Sequence, residues 1–114
     1  MTLQHVVEQL HLTVRTGADR LDRTVTGGYA GDLMSDVIAH STPGDLWITM
    51  QVHVNIVAVA VLKELSAILL VQGREPDPET LVRAAEQHVT ILIGPLSAFR
   101  ASGELYRLLN GAPT

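Results

Sequence analysis

Three short, almost wholly apolar runs in the second half of the chain constrain its fold more than any other feature. They are Leu46–Met50, Ala67–Val71 and Val89–Ile93, and segments of helical character separate them. Short apolar runs without polar alternation are typical of strands that are buried on both faces of a parallel sheet. Strands joined by helices pair in parallel through right-handed crossovers. This half of the chain therefore predicts an α/β fold with helices on the faces of the sheet.

The segments around these runs supply the other predicted elements. Asp77-Pro78-Glu79 is a strong helix start, because a capping residue precedes a proline and an acid near the positive end of the helix dipole. Helices are predicted for Thr2–Leu10, Asp32–Ala39, Ile56–Leu65, Asp77–Gln87 and Pro95–Asn110, with Thr2, Asp32 and Asn55 as N-caps, and further strand candidates are Leu12–Arg15 and Asp22–Tyr29, the latter a strand or an extended loop. We expect one domain over residues 1–114 with a mostly parallel sheet of about four to five strands.

Two helices carry specific expectations about their buried faces. Ile56–Leu65 would also suit a strand, but Asn55 as a cap and the charged pair Lys63-Glu64 at the far end favour a helix. In the second helix Leu33 and Val37 are expected to face inward, together with Met34 and Ile38. The candidate inward residues of the last helix cover more than one of its faces, so that part of them is expected to meet a partner subunit: Phe99, Leu105, Tyr106, Leu108 and Leu109.

Composition excludes several classes of protein. Hydrophobic residues make up 46% of the 114 residues, which is too apolar for intrinsic disorder, and charged residues make up only 18%. There is no cysteine, so disulfides, thiol nucleophiles and cysteine-based metal sites are excluded. The five histidines lack metal-ligand spacing, and we expect neither a metal nor a cofactor. The low charge hints at a self-association face, with a homodimer as the default.

Charge and hydropathy also limit the partners. The net charge is −4 with only 8 Lys and Arg, which makes nucleic acid an unlikely partner. The longest unbroken apolar run, Ile56–Leu62, is far shorter than the ~20 residues that span a bilayer, so no membrane partner is expected. The first residues lack the pattern of a signal peptide, and a cytoplasmic location is the default expectation.

A glycine-rich block before the second helix is the first candidate binding element. It runs from Gly27 and Gly28 through Tyr29 and Ala30 to Gly31, and Asp32 follows. Glycines let a backbone approach a ligand closely, and a loop before a helix can cradle a phosphate. The block is neither a P-loop nor a dinucleotide fingerprint. The alternative is a tight turn in which Asp32 caps the helix and Asp22 pairs with Arg23.

Polar residues at alternate positions after a core strand form the second candidate. Thr49, Gln51, His53 and Asn55 point the same way on an extended chain, so they could converge on one pocket. In parallel sheets, ligands usually sit beyond the carboxyl ends of the strands. The predicted ligand-binding residues are therefore Gly27, Gly28, Asp32, Thr49, Gln51, His53 and Asn55. The alternative is that Asn55 is only a cap and that Gln51 and His53 satisfy loop backbone.

An ordered set of sequence blocks resembles the DRTGG domain. The blocks are Asp22-Arg23-Thr24, Gly27-Gly28, residues 31–37, Trp47-Ile48-Thr49, residues 53–60, residues 73–77, residues 96–99 and Leu105-Tyr106, with Val25-Thr26 interrupting the residues that give the domain its name. The resemblance implies an α/β domain similar to the N-terminal domain of HPr kinase/phosphorylase. It also implies a regulatory or assembly role, often at subunit contacts, and it offers no catalytic residues to carry over.

The sequence leads us to expect a non-enzymatic regulatory module. It would act by homo-oligomerisation and binding of a protein partner, and would sense a small phosphorylated or nucleotide-like ligand. That ligand would lie between the segments Gly27–Asp32 and Gln51–Asn55. One alternative is an enzyme of phosphoryl or acyl-phosphate chemistry that uses His53 with Asp32 or Asp36. Another is a transcription-related regulator without strong direct contact to DNA.

Overall fold

A computed structural model of the chain describes residues 1–111 and shows helices alternating with the strands of one sheet. Each predicted helix and each predicted strand is present, and most ends shift by one to three residues, but β2 begins at Gly27, five residues after its predicted start at Asp22. In chain order the elements are α1 (Leu3–Leu10), β1 (Thr13–Thr16), β2 (Gly27–Ala30), α2 (Met34–His40), β3 (Asp45–Thr49), α3 (Asn55–Leu62), β4 (Ala67–Leu70), α4 (Pro78–Glu86), β5 (Ile91–Ile93) and α5 (Ala98–Leu109), and a single 3₁₀ turn covers Ala18–Arg20. Among these residues no helix combines the length and apolarity that crossing a membrane requires.

The five strands form one sheet in the order β1-β5-β4-β3-β2. The four strands from β2 to β5 are parallel, and β1 pairs with β5 in the antiparallel sense. The predicted α/β fold with a mostly parallel sheet is thus confirmed. Two strands are edges: β1 on one side of the sheet and β2 on the other.

Helices cover both faces of the sheet and bury its central strands. Every residue of β3, β4 and β5 is buried, as their continuous apolar runs predicted. On one face α2, α3 and α4 pack over Trp47 and Ile68, and on the other α1 and α5 pack over Leu46 and Leu69. Burial of one such side chain contributes about 1.5–3 kcal/mol, so this two-sided core fixes the register of the sheet.

The helix α1 follows its sequence pattern closely. The Thr2 hydroxyl accepts a hydrogen bond from the His5 backbone N–H at 3.2 Å, so Thr2 is the predicted N-cap. Leu3, Val6 and Leu10 are buried at helical spacing. This helix therefore anchors the first part of the chain on the sheet.

The prediction that Asp32 caps the second helix is wrong. The helix α2 begins at Met34, with Leu33 in the capping position and no side-chain cap. Val37 is fully buried, but Leu33 is 67% exposed and Ile38 is 40% exposed. The prediction that Leu33 and Ile38 face inward is therefore wrong. The helix α2 has only seven residues, and Val37 is its one buried residue.

Two predictions about α3 and α5 also need correction. Asn55 is the first helical residue of α3 and caps nothing, because Val54 before it already has helical angles. In α5, Leu105 is buried but Phe99 is 88% exposed and Tyr106 is 71% exposed. The core stripe of α5 runs through Ala101 and Leu105, and Phe99 lies roughly 200° around the helix from Ala101. Both aromatic side chains are therefore surface residues.

Candidate functional site

The carboxylate of Asp32 joins the carboxyl ends of β2 and β3. Its Oδ1 accepts hydrogen bonds from the Thr49 hydroxyl and from the Met50 backbone N–H, each at 2.8 Å. The Gln51 side-chain amide donates to the Asp32 carbonyl at 2.9 Å. Asp32, Thr49 and Gln51 thus come together as predicted, but they satisfy one another. Their joint role is to fasten the end of the edge strand to its neighbour.

The imidazole of His53 is paired with Asp77 rather than with Asp32 or Asp36. Its Nδ1 lies 2.7 Å from Asp77 Oδ2, and the side chain is 70% exposed. Asp77 is the N-cap residue of α4, so this pair joins the loop after β3 to the start of that helix. The carbonyl of Val52 adds two further links, since it accepts from the Asp77 N–H and the Thr80 hydroxyl. The ring of His53 is held at one nitrogen and faces solvent over most of its surface.

Asn55 lies beside His53 on the exposed start of α3. Together with Val54, Ala58 and Leu62 it borders an open groove of about 500 Å³ that reaches Arg83 of α4. His53 and Asn55 are therefore close in the chain and accessible, unlike the buried Thr49. Of the residues predicted beyond the carboxyl ends of the strands, these two remain free to meet another molecule.

The glycine pair has a different environment from the predicted loop. Gly27 and Gly28 belong to β2 and pair with Asp45 and Leu46 at the start of β3. A Cβ on Gly27 would lie 2.6 Å from Asp45 Oδ1, and one on Gly28 would lie 2.7 Å from Leu105 Cδ2. The prediction that these glycines cradle a phosphate is therefore wrong. They lie at the amino end of β2, where the absence of a side chain lets Asp45 and Leu105 pack against the strand.

Arg23 has a structural role that differs from the ion pair with Asp22 considered in the sequence. Its guanidinium donates to the His88 carbonyl at 2.8 Å and to the Ser66 carbonyl at 3.4 Å, instead of pairing with Asp22 among the described residues. Burial lowers the pKa of Arg23. The side chain holds the segment before β2 against the starts of β4 and β5. No spacing signal could have found it, because its acceptors are backbone oxygens 43 and 65 residues away.

A second polar cluster lies beside the edge strand. The Tyr29 hydroxyl donates to Asp36 Oδ2, and His40 Nδ1 lies 3.0 Å from Asp36 Oδ1. The hydrogen bond to Asp36 raises the pKa of Tyr29 to about 12, and the same bond lowers the pKa of Asp36. The sequence suggested Asp36 as a partner of His53, whereas in the structure it holds Tyr29 of β2.

These pairings limit the chemistry that the candidate site can perform. The partners proposed for a catalytic His53 are engaged elsewhere: Asp32 with Thr49, and Asp36 with Tyr29. Within residues 1–111, no three His, Asp or Glu side chains are grouped as a metal site would require. The His53–Asp77 pair is the arrangement closest to acid–base chemistry, and it lies on an exposed edge rather than in a cleft.

Large apolar side chains are exposed on α2, α3, α4 and α5. A shallow groove of about 170 Å³ runs between the edge strand β2 and α5. Its walls include Gly28 and Ala30 of β2 and Leu105, Tyr106 and Leu109 of α5. Phe99 adds further exposed apolar surface on the same helix. This face of the protein lacks a covering element in the described chain.

Comparison with known proteins supports the fold. No protein-family model matches the sequence, and no curated protein is significantly similar to it. The fold is similar to a crystal structure of the CBS and DRTGG domains of the regulatory region of Clostridium perfringens pyrophosphatase, complexed with its activator diadenosine tetraphosphate. The TM-score is 0.71 at 16% sequence identity. The match covers 99% of this chain and 50% of that one, so this chain spans about half of its length.

Proposed function

We propose that this chain is a non-enzymatic regulatory module. It acts through self-association and binding of a protein partner, and it recognises a small phosphorylated or nucleotide-like ligand. The observation that carries this proposal is the contrast between its two surfaces. The polar groups of the carboxyl edge are largely paired with one another, whereas β2 leaves the outer edge of the sheet unpaired and the outer face of α5 exposes Phe99 and Tyr106.

The exposed apolar residues favour an interaction role. On α5, Phe99 is 88% exposed and Tyr106 is 71% exposed, and Leu33 before α2 is 67% exposed. Exposed aromatic side chains that are grouped on one face are typical of protein–protein contacts. A chain with little charge elsewhere has few means to keep such a face solvated, which supports its burial in an assembly.

The fold likeness is consistent with a regulatory role. The similar structure belongs to the regulatory region of a pyrophosphatase and was determined with a dinucleotide activator. That chain contains CBS and DRTGG domains and is about twice as long as this one. We therefore base the proposal of nucleotide recognition on accessible residues of this chain and not on the similarity of fold.

The ligand would contact the accessible part of the carboxyl edge. His53 and Asn55 offer an imidazole and an amide, and the N–H groups of the first turn of α3 add a partial positive charge. Asp32 and Asp77 would repel a phosphate nearby but would accept hydrogen bonds from a ribose or an amino group. A nucleoside with few phosphates fits these groups better than a free inorganic anion.

A thermal-shift titration tests the ligand part of the proposal. The panel would contain AMP, ATP, diadenosine tetraphosphate, acetyl phosphate and inorganic phosphate. A ligand at 100-fold excess over its Kd stabilises the folded state by about 2.7 kcal/mol, which gives a clear rise in Tm. We expect His53→Ala and Asn55→Ala to abolish that rise and His5→Ala, on the exposed face of α1, to retain it. If no member of the panel raises the Tm, the proposal that this chain recognises such a ligand is wrong.

The His53–Asp77 pair favours one second candidate, an enzyme of phosphoryl or acyl-phosphate chemistry. A carboxylate on one ring nitrogen orients the imidazole and leaves the other nitrogen accessible to a substrate. Release of phosphate from acetyl phosphate, compared between the natural protein and His53→Gln, distinguishes this candidate from a binding module. We expect equal background rates for both proteins, and a rate that depends on His53 would favour the enzyme.

A further inference from the structure

The outer edge of β2 presents unpaired backbone groups from two residues. The Gly31 N–H donates to the Ile48 carbonyl at 3.0 Å, which fixes the phase of the pairing with β3. Bonding residues alternate along a parallel pair, so Tyr29 also turns its N–H and C=O towards β3. Gly28 and Ala30 therefore turn theirs away from the sheet. Both residues are exposed, and both have small side chains or none.

The two edges of the sheet are protected to different degrees. On β1, Arg15 forms a salt bridge to Glu75 at 2.6 Å, and the register shifts between Val14 and Thr16. A charge and an irregularity are devices that prevent an edge strand from pairing with another chain. The four residues of β2 carry no charge, and their pairing with β3 is regular. Only β1 has these protective features.

The groove on the α5 side of β2 is apolar and has no charged residue in its lining, whereas the Tyr29–Asp36–His40 cluster lies on the other side of the strand. Phe99, Ser102 and Tyr106 recur at helical spacing along α5, and Tyr106 forms one wall of the groove whose other wall includes Gly28 and Ala30. Two copies of the chain each carry a net charge of −4 and repel one another in general. The groove on the α5 side adds no charge to that repulsion, and on the other side of β2 the carboxylate of Asp36 is hydrogen-bonded to Tyr29 and His40.

We propose that β2 pairs with β2 of a second copy in the antiparallel sense, about a two-fold axis that passes beside Tyr29. Gly28 would lie opposite the partner's Ala30 and Ala30 opposite the partner's Gly28. Each such pair exchanges two backbone hydrogen bonds, so the contact forms about four N–H···O bonds. The two sheets become one continuous sheet. This inference specifies the mode of the self-association proposed above and rests on it.

Symmetry favours a second copy over an unrelated peptide. The outward residues Gly28 and Ala30 lie one position on either side of Tyr29. When two copies of the strand pair in the antiparallel sense about Tyr29, the outward residues of one copy therefore lie opposite those of the other. The axis places Tyr29 opposite the partner's Tyr29 in a non-hydrogen-bonded pair, where side chains are closest, and cross-strand aromatic pairs are stabilising. The same axis brings Tyr106 and its groove towards the equivalent surface on the partner. A captured peptide would leave the stripe on α5 largely uncovered.

Matched lysine substitutions on the two edges test this pairing. Ala30→Lys places a charge on the proposed contact, whereas Thr13→Lys places the same charge at an exposed position of the other edge strand, β1. We expect sedimentation velocity to show dimers for the natural protein and Thr13→Lys, and at least tenfold weaker association for Ala30→Lys. Tyr106→Ser on the exposed face of α5 should also weaken association, and circular dichroism checks that each variant remains folded.

Hydrogen exchange supplies an independent measure of the same contact. The Gly28 and Ala30 amides point outward, so they should exchange rapidly in dilute monomer and slowly in concentrated dimer. A dimer in which both amides exchange rapidly, and which persists in Ala30→Lys, overturns the strand pairing but leaves self-association intact. Protection of these amides only after addition of another protein would replace the second copy by a peptide partner. A monomer at every concentration contradicts both this inference and the self-association on which it rests.

Discussion

The carboxylate of Asp32 accepts a hydrogen bond from the buried hydroxyl of Thr49, with 2.8 Å between Oδ1 and Oγ1. This contact fastens the carboxyl end of β2 to β3. At the other end of β2, the guanidinium of Arg23 holds the preceding segment against the His88 carbonyl. An edge strand is paired on one side only, so these contacts keep β2 in place with its outer side free. Arg23 before β2 and Asp32 after it thus hold in place the edge strand that we propose as the contact surface.

Removal of the Asp32 carboxylate should destabilise the protein. Asp32→Ala leaves the Thr49 hydroxyl and the Met50 N–H without their acceptor, which predicts a loss of about 1.5–3 kcal/mol. Urea unfolding measures the change in free energy. Asp32→Asn keeps an oxygen acceptor and should lose less. Equal losses for the two variants, or no loss for Asp32→Ala, would show that this carboxylate does not hold the strand end.

Replacement of Arg23 should also be costly. Arg23→Met keeps much of the aliphatic packing but leaves the His88 and Ser66 carbonyls without their donor, which predicts a loss of about 1–3 kcal/mol. Arg74→Met is the matched control, because Arg74 is exposed and such changes stay within about 0.5 kcal/mol. If both variants unfold at the same urea concentration, Arg23 does not join these segments energetically.

Two glycine substitutions should change stability in opposite directions. Gly28→Ala places a Cβ 2.7 Å from Leu105 Cδ2, which predicts a loss of about 1–3 kcal/mol from overpacking. A Cβ on Gly103 in α5 meets nothing within 4 Å, so Gly103→Ala should gain about 0.5–1 kcal/mol from helix propensity. Thermal unfolding of both variants gives the two signs. A stabilised Gly28→Ala would contradict the close packing of α5 on β2.

The Tyr29–Asp36 pair predicts a specific dependence of stability on pH. The folded-state pKa of Tyr29 is raised to about 12 from an unfolded value of about 10, because its neutral hydroxyl donates to Asp36. Its contribution is complete below pH ~10 and is lost as the pH rises through about 12. The pKa of Asp36 is lowered, so its contribution is present above the ordinary carboxyl range and is lost as the pH falls through the lowered value.

Tyr29→Phe measures this dependence directly. The stability difference between the natural protein and the variant should be constant near neutral pH and should shrink as the pH approaches 12. Near-ultraviolet difference spectra of the two proteins report ionisation of Tyr29 itself. Its appearance at the ordinary tyrosine pKa would mean that the hydroxyl is not held by Asp36 in solution.

The fold could be predicted from the sequence where local pattern and burial agree. The continuous apolar runs of β3, β4 and β5 predicted both the strands and the fact that helices cover them on both faces. Pro78 likewise marked the start of α4. The ends of α2 and α3 could not be predicted in the same way. Asp32 and Asn55 are good caps by type, but Asp32 is drawn to Thr49 by tertiary pairing and Val54 continues the helix before Asn55.

The candidate site was predicted less completely. Alternation predicted that Thr49, Gln51, His53 and Asn55 converge, but only Thr49 and Gln51 meet at Asp32, while His53 pairs with Asp77 and Asn55 lies in α3. His53 and Asp77 are 24 residues apart in the sequence, and no motif links them. Their pairing depends on how the loop after β3 meets the start of α4. The glycine pair was misread because glycine serves a close approach of protein backbone and side chain as readily as it serves a phosphate.

The molar mass in solution tests the central proposal most directly. Light scattering over a concentration series from about one micromolar upward should give twice the chain mass of 12.3 kDa, with dissociation on dilution. That result supports a module that acts through a second copy. A molar mass of 12.3 kDa at every concentration, with the protein folded, would contradict self-association and with it the proposed mode of action.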